Sequence, residues 1–473
     1  MRKVSEQLAL QLDIEEDQSL SHLAYRDRLI SLLNSDLDFH NERSGYASHN
    51  FHSFPAKFPP QLPRKFINSL TSPGDVVLDP MMGSGTTILE TLLANRCGVG
   101  LDIDPLALMI GKVKISPLNI EKVDRAFHQV ITGAKQKIQK DRSKLEQNRL
   151  VRWNDETKKF IDYWFMYDTQ LELIALISEI EQVEDTDIKL FLKIAFSSII
   201  ITKSGGVSLA LDLAHTRPHR AKIILDQNGQ EVFRGNLSGK TPKYLKLLTK
   251  LMRSPINEFE KRYKNNLKGI SSRSSDSYYT NISWGDAQNL PLNNASIDLI
   301  ITSPPYASNA IDYMRAHKFA LVWLGYDLSD LSKKRKEYIG GESTSGVVFE
   351  SVPPYVEKII HTFSQFDRKK MFVLYRYYSE MARVLKEMYR VLKPGKAAIV
   401  VVGSSIIRGV DIETQNCLAH IGREAGFEVP KIGIRKLDRN RRMLPAGLNQ
   451  NLKSQIQQRM YEEYAIGFYK PEE

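Results

Sequence analysis

The chain has only two cysteines in 473 residues, Cys97 and Cys417. Two residues can build neither a disulfide framework nor a zinc ligand set, which suits a reducing cytoplasm. Ten histidines do not restore a metal signature, because His40, His49 and His52 are spread through a loop-like stretch, so no metal is expected. No uninterrupted apolar run approaches the roughly 18 residues of a membrane span, and no charged-then-apolar leader opens the chain. No membrane partner is expected. A GxxxxGK[ST] phosphate loop is absent, as are internal repeats and low-complexity tracts. Acid excess is lacking too: 66 Lys and Arg against 55 Asp and Glu leave +11, a balance that favours a polyanionic partner.

The apolar run Val76-Val77-Leu78-Asp79 reads as a short strand, and a glycine turn, Pro80-Met81-Met82-Gly83-Ser84-Gly85-Thr86-Thr87, leads from it into a helical pattern. Strand, glycine turn and helix form the nucleotide-cofactor arrangement. Gly83 and Gly85 permit a tight turn and close approach of backbone to ligand. A second strand, Gly98-Val99-Gly100-Leu101, ends in Asp102 followed by Ile103, and an acid there accepts hydrogen bonds from ribose hydroxyls. Ile88 stands where a dinucleotide site wants its third glycine, so NAD fits poorly. S-adenosylmethionine has no pyrophosphate and needs neither that glycine nor a phosphate loop.

A third strand-like run, Ile297 to Ile301, stops at Thr302-Ser303-Pro304-Pro305-Tyr306. Successive prolines donate no backbone N–H, so neighbouring carbonyls are free to point outward as acceptors. Ser303 and the carbonyl of Pro304 are candidates to grip the hydrogens of an exocyclic base amine, with an exposed Tyr306 stacking on a flipped base. The plainer alternative is a strand-ending turn over a buried tyrosine.

Together DPMMGSGTT, GLDIDP and TSPPY resemble the DNA amino-methyltransferase family, which modifies cytosine N4 or adenine N6. The resemblance extends to His52-Ser53-Phe54-Pro55-Ala56-Lys57-Phe58-Pro59-Pro60, similar to the family's segment against the methionine end of the cofactor, and to Gly285-Asp286-Ala287, similar to the segment near its adenine. It implies a Rossmann-like α/β methyltransferase sheet with helices on both faces. Implied cofactor-binding residues are Phe54, Lys57, Phe58, Asp79, Pro80, Gly83, Ser84, Gly85, Thr86, Thr87, Asp102, Ile103, Asp286 and Ala287; implied catalytic residues are Ser303, Pro304, Pro305 and Tyr306. The resemblance further implies S-adenosylmethionine, double-stranded DNA with base flipping, and a cognate restriction endonuclease as an accompanying partner. Serine at the head of the tetrad leans toward cytosine N4, since adenine enzymes more often carry Asp or Asn. Adenine-N6 methylation, RNA base methylation and a non-catalytic DNA-binding subunit are the alternatives. Cytosine C5 chemistry is disfavoured because it needs a thiolate usually presented after proline, whereas Cys97 follows Arg96 and Cys417 follows Asn416.

A chain this long exceeds one methylase core, so added structure is expected. The reading divides it into a helical extension at 1–50, a cofactor half at 51–115, a helical and basic insertion at 116–280, and a catalytic half at 281–473. Val123, Phe127, Val130, Ile131, Ala134 and Ile138 recur at helical spacing, as do Leu171, Ile174, Ile177 and Ile180. From Lys203 to Arg273, 15 Lys and Arg stand against 5 Asp and Glu. That stretch includes Arg217, His219 and Arg220, the candidate DNA contacts, and a hairpin turn at Asn228-Gly229. The stretch 326–370, read as a loop, is a second candidate to clamp DNA. A helix from Tyr378 to Val391, a turn through Gly395, a buried strand to Gly403 and a last antiparallel strand at Tyr461–Tyr469 are expected to close the sheet.

Overall fold

The computed structural model describes residues 22–54, 57–213, 218–237, 241–270, 279–307, 312–365, 367–404, 406–407, 410–437 and 462–472. Twelve strands lie within these: β1 (Val76–Asp79), β2 (Cys97–Asp102), β3 (Ile223–Leu225), β4 (Glu231–Arg234), β5 (Thr249–Leu251), β6 (Thr280–Trp284), β7 (Ile297–Thr302), β8 (Leu392–Val402), β9 (Ile406–Ile407), β10 (Val410–Asp411), β11 (Glu428–Lys436) and β12 (Glu462–Tyr469). Seven form the main sheet in the order β11-β12-β8-β7-β1-β2-β6. The run from β8 to β6 is parallel, and β12 is antiparallel to both its neighbours. Strands covered on both faces need continuous apolar character. Every residue of β7 is buried, as are Val77 and Leu78 in β1.

This order decides where a ligand can sit. From β1 the chain proceeds outward through β2 to β6, while β7 and β8 build the other way, so the winding reverses between β1 and β7. The loops leaving the C-terminal ends of those two strands diverge there and leave a crevice. The tracts after Asp79, Asp102 and Thr302 all open at this edge of the sheet.

Helices Ile120–Lys140, Tyr167–Glu181, Thr186–Ile200 and Pro255–Leu267 assemble the insertion around a shared apolar core. Val123, Phe127, Val130, Ile131 and Ala134 face it as their spacing predicts, and Phe127 stacks on Tyr263 with centroids 3.6 Å apart. The hairpin of β3 and β4 turns at Asn228-Gly229, where Gly229 takes φ +82°, and β5 completes a separate three-stranded sheet. Helix Tyr25–Asn34 buries Leu29, Leu32 and Leu33 against the opposite end of the main sheet.

Two stretches differ from the sequence reading. The late helix starts at Arg368, and β8 begins at Leu392, which already pairs with Ile297 before the strand is interrupted at Pro394-Gly395. Stretch 326–370 is also more structured than a loop: it contains helices Leu328–Glu337 and Pro354–His361 and buries Leu331, Ile339, Val352, Val356, Ile360 and Phe363. Its polar and charged positions masked an apolar set too widely spaced for a single helical period. Among the described residues no helix is long and apolar enough to cross a membrane, and no cluster of three His, Cys, Asp or Glu is placed to hold a metal ion.

Candidate active site

The turn after β1 is built around two left-handed glycines, Gly83 at φ +50° and Gly85 at φ +71°. Side chains rarely adopt that conformation, and space is short as well. A Cβ on Gly83 meets the Phe54 ring at 3.1 Å, and one on Gly85 meets the Gly111 backbone at 3.2 Å. Met82 N–H donates to the Leu101 carbonyl (3.0 Å) and Gly83 N–H to Asp102 Oδ2 (2.8 Å), so the turn is fastened to the end of β2. Lys114 Nζ donates to the Ser84 carbonyl (2.6 Å) from below; complete burial holds its ammonium well below the usual lysine range.

Around this turn lies a cleft partly open to solvent. Its lining includes Phe54, Lys57, Phe58, Asp79, Pro80, Gly83, Ser84, Thr86, Asp102, Ile103, Asp286, Ala287, Ser303 and Pro305. Four further sequence candidates do not line it. Gly85 and Thr87 shape the turn and the start of helix Thr86–Leu93 from behind, Thr87 being fully buried. Pro304 is buried, and Tyr306 packs half-buried against the neighbouring core.

Three carboxylates converge at the β2 side. Burial pushes the Asp102 carboxyl up to about 7, with the charge of Asp104 adding to the rise and the N–H groups of Asp104 and Gly83 opposing it. Burial likewise pushes Asp79 up to about 6, opposed by the nearby hydroxyls of Thr302 and Thr87 and by the Met81 N–H, which donates to Oδ1 (3.3 Å). Asp104 is different. Its Oδ1 caps helix Pro105–Ile115 by accepting from Leu106 N–H (2.7 Å) and Ala107 N–H (3.1 Å), while Oδ2 accepts from His317 Nδ1 and Tyr338 Oη, both at 2.7 Å. Burial raises its carboxyl, but His317, Tyr338 and the capping N–H together hold it below the usual range. On the opposite side Lys57 Nζ donates to the His49 carbonyl (2.8 Å), and burial lowers its ammonium. The fully buried Glu90 beneath it collects Tyr46 Oη (2.7 Å), His49 Nε2 (2.6 Å) and Arg64 Nε (2.7 Å).

The Ser303 tetrad leaves β7 beside β1. Ser303 faces the cleft, but the tyrosine is not the free aromatic expected: its hydroxyl donates to Glu463 Oε1 on β12 (2.9 Å), and Arg435 of β11 holds Glu463 Oε2. Burial and the Glu463 charge push the phenol well above its ordinary value. Nothing in the tetrad signals a partner so distant in sequence.

The DNA candidates His219 and Arg220 lie in the small-sheet region, outside the cleft lining. Arg217 is outside the described residues. His219 Nδ1 bonds Asp212 Oδ2 (3.1 Å). Arg220 donates Nε to the Tyr163 carbonyl (2.8 Å), and its guanidinium lies 4.8 Å from the Tyr163 ring centre and 5.6 Å from that of Phe233.

Sequence reasoning missed Met81, Met82, Asp104, Gly285, Tyr313, Tyr338 and Ile339 in the lining. Asp104 carried a readable signal, an acid directly before Pro105 at a helix start. Tyr313, Tyr338 and Ile339 carry no local signal that ties them to a cofactor.

Comparison with known proteins agrees with this geometry. Residues 31–112 match the family described as DNA methylase, of the N6/N4 type. The chain is 23% identical over 415 residues to the Type II methyltransferase M.MvaI of Kocuria varians, covering 84% of this chain and 86% of that protein. It is also 23% identical over 419 residues to the Type II methyltransferase M.BsoBI of Geobacillus stearothermophilus, covering 81% and 79% respectively. A shorter match, 32% identical over 101 residues, links 21% of this chain to 19% of M.MjaII of Methanocaldococcus jannaschii. With its glycine turn, paired strand-end acids and Ser303 tetrad at one edge of the sheet, the chain is similar to DNA methylases of the N6/N4 type.

Proposed function

We propose that this protein transfers a methyl group from S-adenosylmethionine to the exocyclic amine of a base flipped out of double-stranded DNA, with cytosine N4 as the preferred target. The observation carrying this reading is that one cleft brings Gly83, Asp102 and Ser303 together from three different strand ends. Its polar lining suits an aminoacyl nucleoside: Asp79, Asp102 and Asp286 offer acceptors to hydroxyls and amines, and Lys57 offers a cation to a carboxylate. The same carboxylates would repel a pyrophosphate, which argues against a dinucleotide there.

The bound cofactor supplies an electrophilic methyl on a sulfonium. Asp102 is the residue that receives ribose hydroxyls, and Asp286 and Ala287 flank the base end. Ser303 and the Pro304 carbonyl would accept hydrogen bonds from the two amine hydrogens, which favours the tetrahedral nitrogen that develops as the N–C bond forms; the C–S bond breaks to leave a neutral thioether, and the surplus amine proton passes to solvent. Tyr306 lies outside the cleft lining with its hydroxyl held by Glu463, so its ring meets a flipped base at the edge of the cleft and not within it. Rate then comes from alignment and from acceptors fixed before the reaction, with no covalent enzyme intermediate. Ser303 in place of an acid or amide supports cytosine N4 over adenine N6, by family resemblance. The names of the relatives as Type II methyltransferases support a role beside a cognate restriction endonuclease. The test is transfer of labelled methyl to DNA followed by nucleoside separation. Label in N4-methylcytosine is expected; label in N6-methyladenine would move the preference, and label only in RNA would overturn the reading.

A further inference from the structure

The fold places a segment against the cleft that neither the glycine turn nor the tetrad supplies. We propose that Tyr338 and Ile339 form a fourth wall of the cofactor site, closing its nucleoside side against the flat base and ribose, with Asp104 and Arg376 as positioning residues. The inference rests on the cofactor reading above.

Both residues line the same cleft as Asp102, Ile103 and Tyr313. Tyr338 donates its hydroxyl to Asp104 Oδ2 at 2.7 Å, next to the carboxylate assigned to the ribose. Ile339 is 7% exposed, so the segment is seated and not draped over the surface. The backbone behind it is pinned with unusual thoroughness. Arg376, 3% exposed, donates Nη2 to the carbonyls of Lys336 (2.9 Å) and Tyr338 (3.1 Å), and Nη1 to those of Gly341 (3.2 Å) and Ser343. Its Nε pairs with Glu380 Oε1 (2.8 Å), whose Oε2 accepts the Gly340 N–H (2.7 Å). A buried guanidinium paired once and spread over four carbonyls fixes the path of a short segment, because leaving any of those groups unpaired in a low-dielectric site is costly. What that path delivers into the cleft is one aromatic ring and one branched aliphatic chain, a surface that suits a purine face. The basic run Lys333 to Lys336, by contrast, lies on helix Leu328–Glu337 with Lys333, Arg335 and Lys336 exposed, so the basic face and the cleft face of this stretch are separate.

The test uses the full chain and S-adenosylhomocysteine as calorimetric probe, with Tyr338→Phe, Tyr338→Ala and Ile339→Ala, and duplex DNA binding measured in parallel. Removing the ring should weaken S-adenosylhomocysteine about tenfold to a hundredfold, in line with the loss of one stacking surface. Tyr338→Phe should give a smaller loss with faster dissociation, because only the Asp104 bond is gone. In turnover, the KM for S-adenosylmethionine should rise while the KM for DNA holds, a split that general loosening of the fold would not give. Unchanged affinity in Tyr338→Phe and Ile339→Ala, while Asp102→Ala weakens it, would overturn this inference and leave the cofactor reading standing. Loss of DNA affinity with intact cofactor affinity would assign the segment to DNA instead. A wild-type chain that binds no S-adenosylhomocysteine would overturn both.

Discussion

Cofactor affinity should depend on pH through Asp102, and the structure sets the window. The carboxyl is pushed up to about 7 by burial first and by Asp104 second, with Asp79 adding a smaller push and the N–H groups of Gly83 and Asp104 opposing. Tyr313 and Tyr338 face the same carboxylates, and their phenols are raised, so they stay neutral and do not titrate in this range. Ribose hydroxyls donate, so they favour the ionised form. Binding therefore releases a proton below about pH 7, and affinity should fall by about tenfold for each pH unit below that point, since one pH unit corresponds to about 1.4 kcal/mol. Above it the affinity should level off. Calorimetry with S-adenosylhomocysteine from pH 5.5 to 8.5, in buffers of different ionisation enthalpy, reads both the affinity and the proton released. Asp102→Asn should remove the slope. The sign for stability is opposite: a carboxyl raised in the folded chain contributes stability at low pH that is lost as pH rises through about 7, which ligand-free melting measured over the same pH range reads. A flat affinity profile for the wild type, or an unchanged slope in Asp102→Asn, would refute the assignment of Asp102.

Tyr306→Ala should cut methyl transfer by about tenfold to a hundredfold while leaving cofactor affinity nearly intact, because stacking on the flipped base is worth about 1–3 kcal/mol; equal losses in both measurements would argue against the role. Glu463→Ala should destabilise the chain by about 1–3 kcal/mol, since the half-buried Arg435 and Tyr306 hydroxyl lose their shared acceptor, whereas Glu463→Gln should retain most activity by keeping an acceptor for Tyr306; chemical denaturation and turnover together check this. Gly85→Ala should lower stability by about 1–2 kcal/mol for its left-handed φ alone, with the Gly111 contact adding to it. Duplex binding should weaken steeply with salt, and Arg220→Glu should flatten the plot of log affinity against log salt; an identical slope would place the DNA face elsewhere.

The parts legible in the sequence were those whose physics is local. Apolar runs of β1 and β7, the two glycines between them and the helix face from Val123 to Ala134 each reveal their structure within a dozen residues, and the cleft they shape lies at the reversal of strand order. The Asn228-Gly229 hairpin was equally readable. The remainder depends on partners far along the chain. Nothing near Tyr306 in the sequence suggests Glu463, so its ring reads as exposed, and stretch 326–370 reads as a loop because the anchoring cation, Arg376, sits on the following helix. Buried polar joints of this kind leave no periodicity to detect.

The central claim is tested most directly by incubating the purified chain with tritiated S-adenosylmethionine and duplex DNA, digesting to nucleosides and separating them. The account predicts label in N4-methylcytosine and strong loss of that label in Tyr306→Ala. Label in 5-methylcytosine, or incorporation undiminished in Tyr306→Ala, would contradict it.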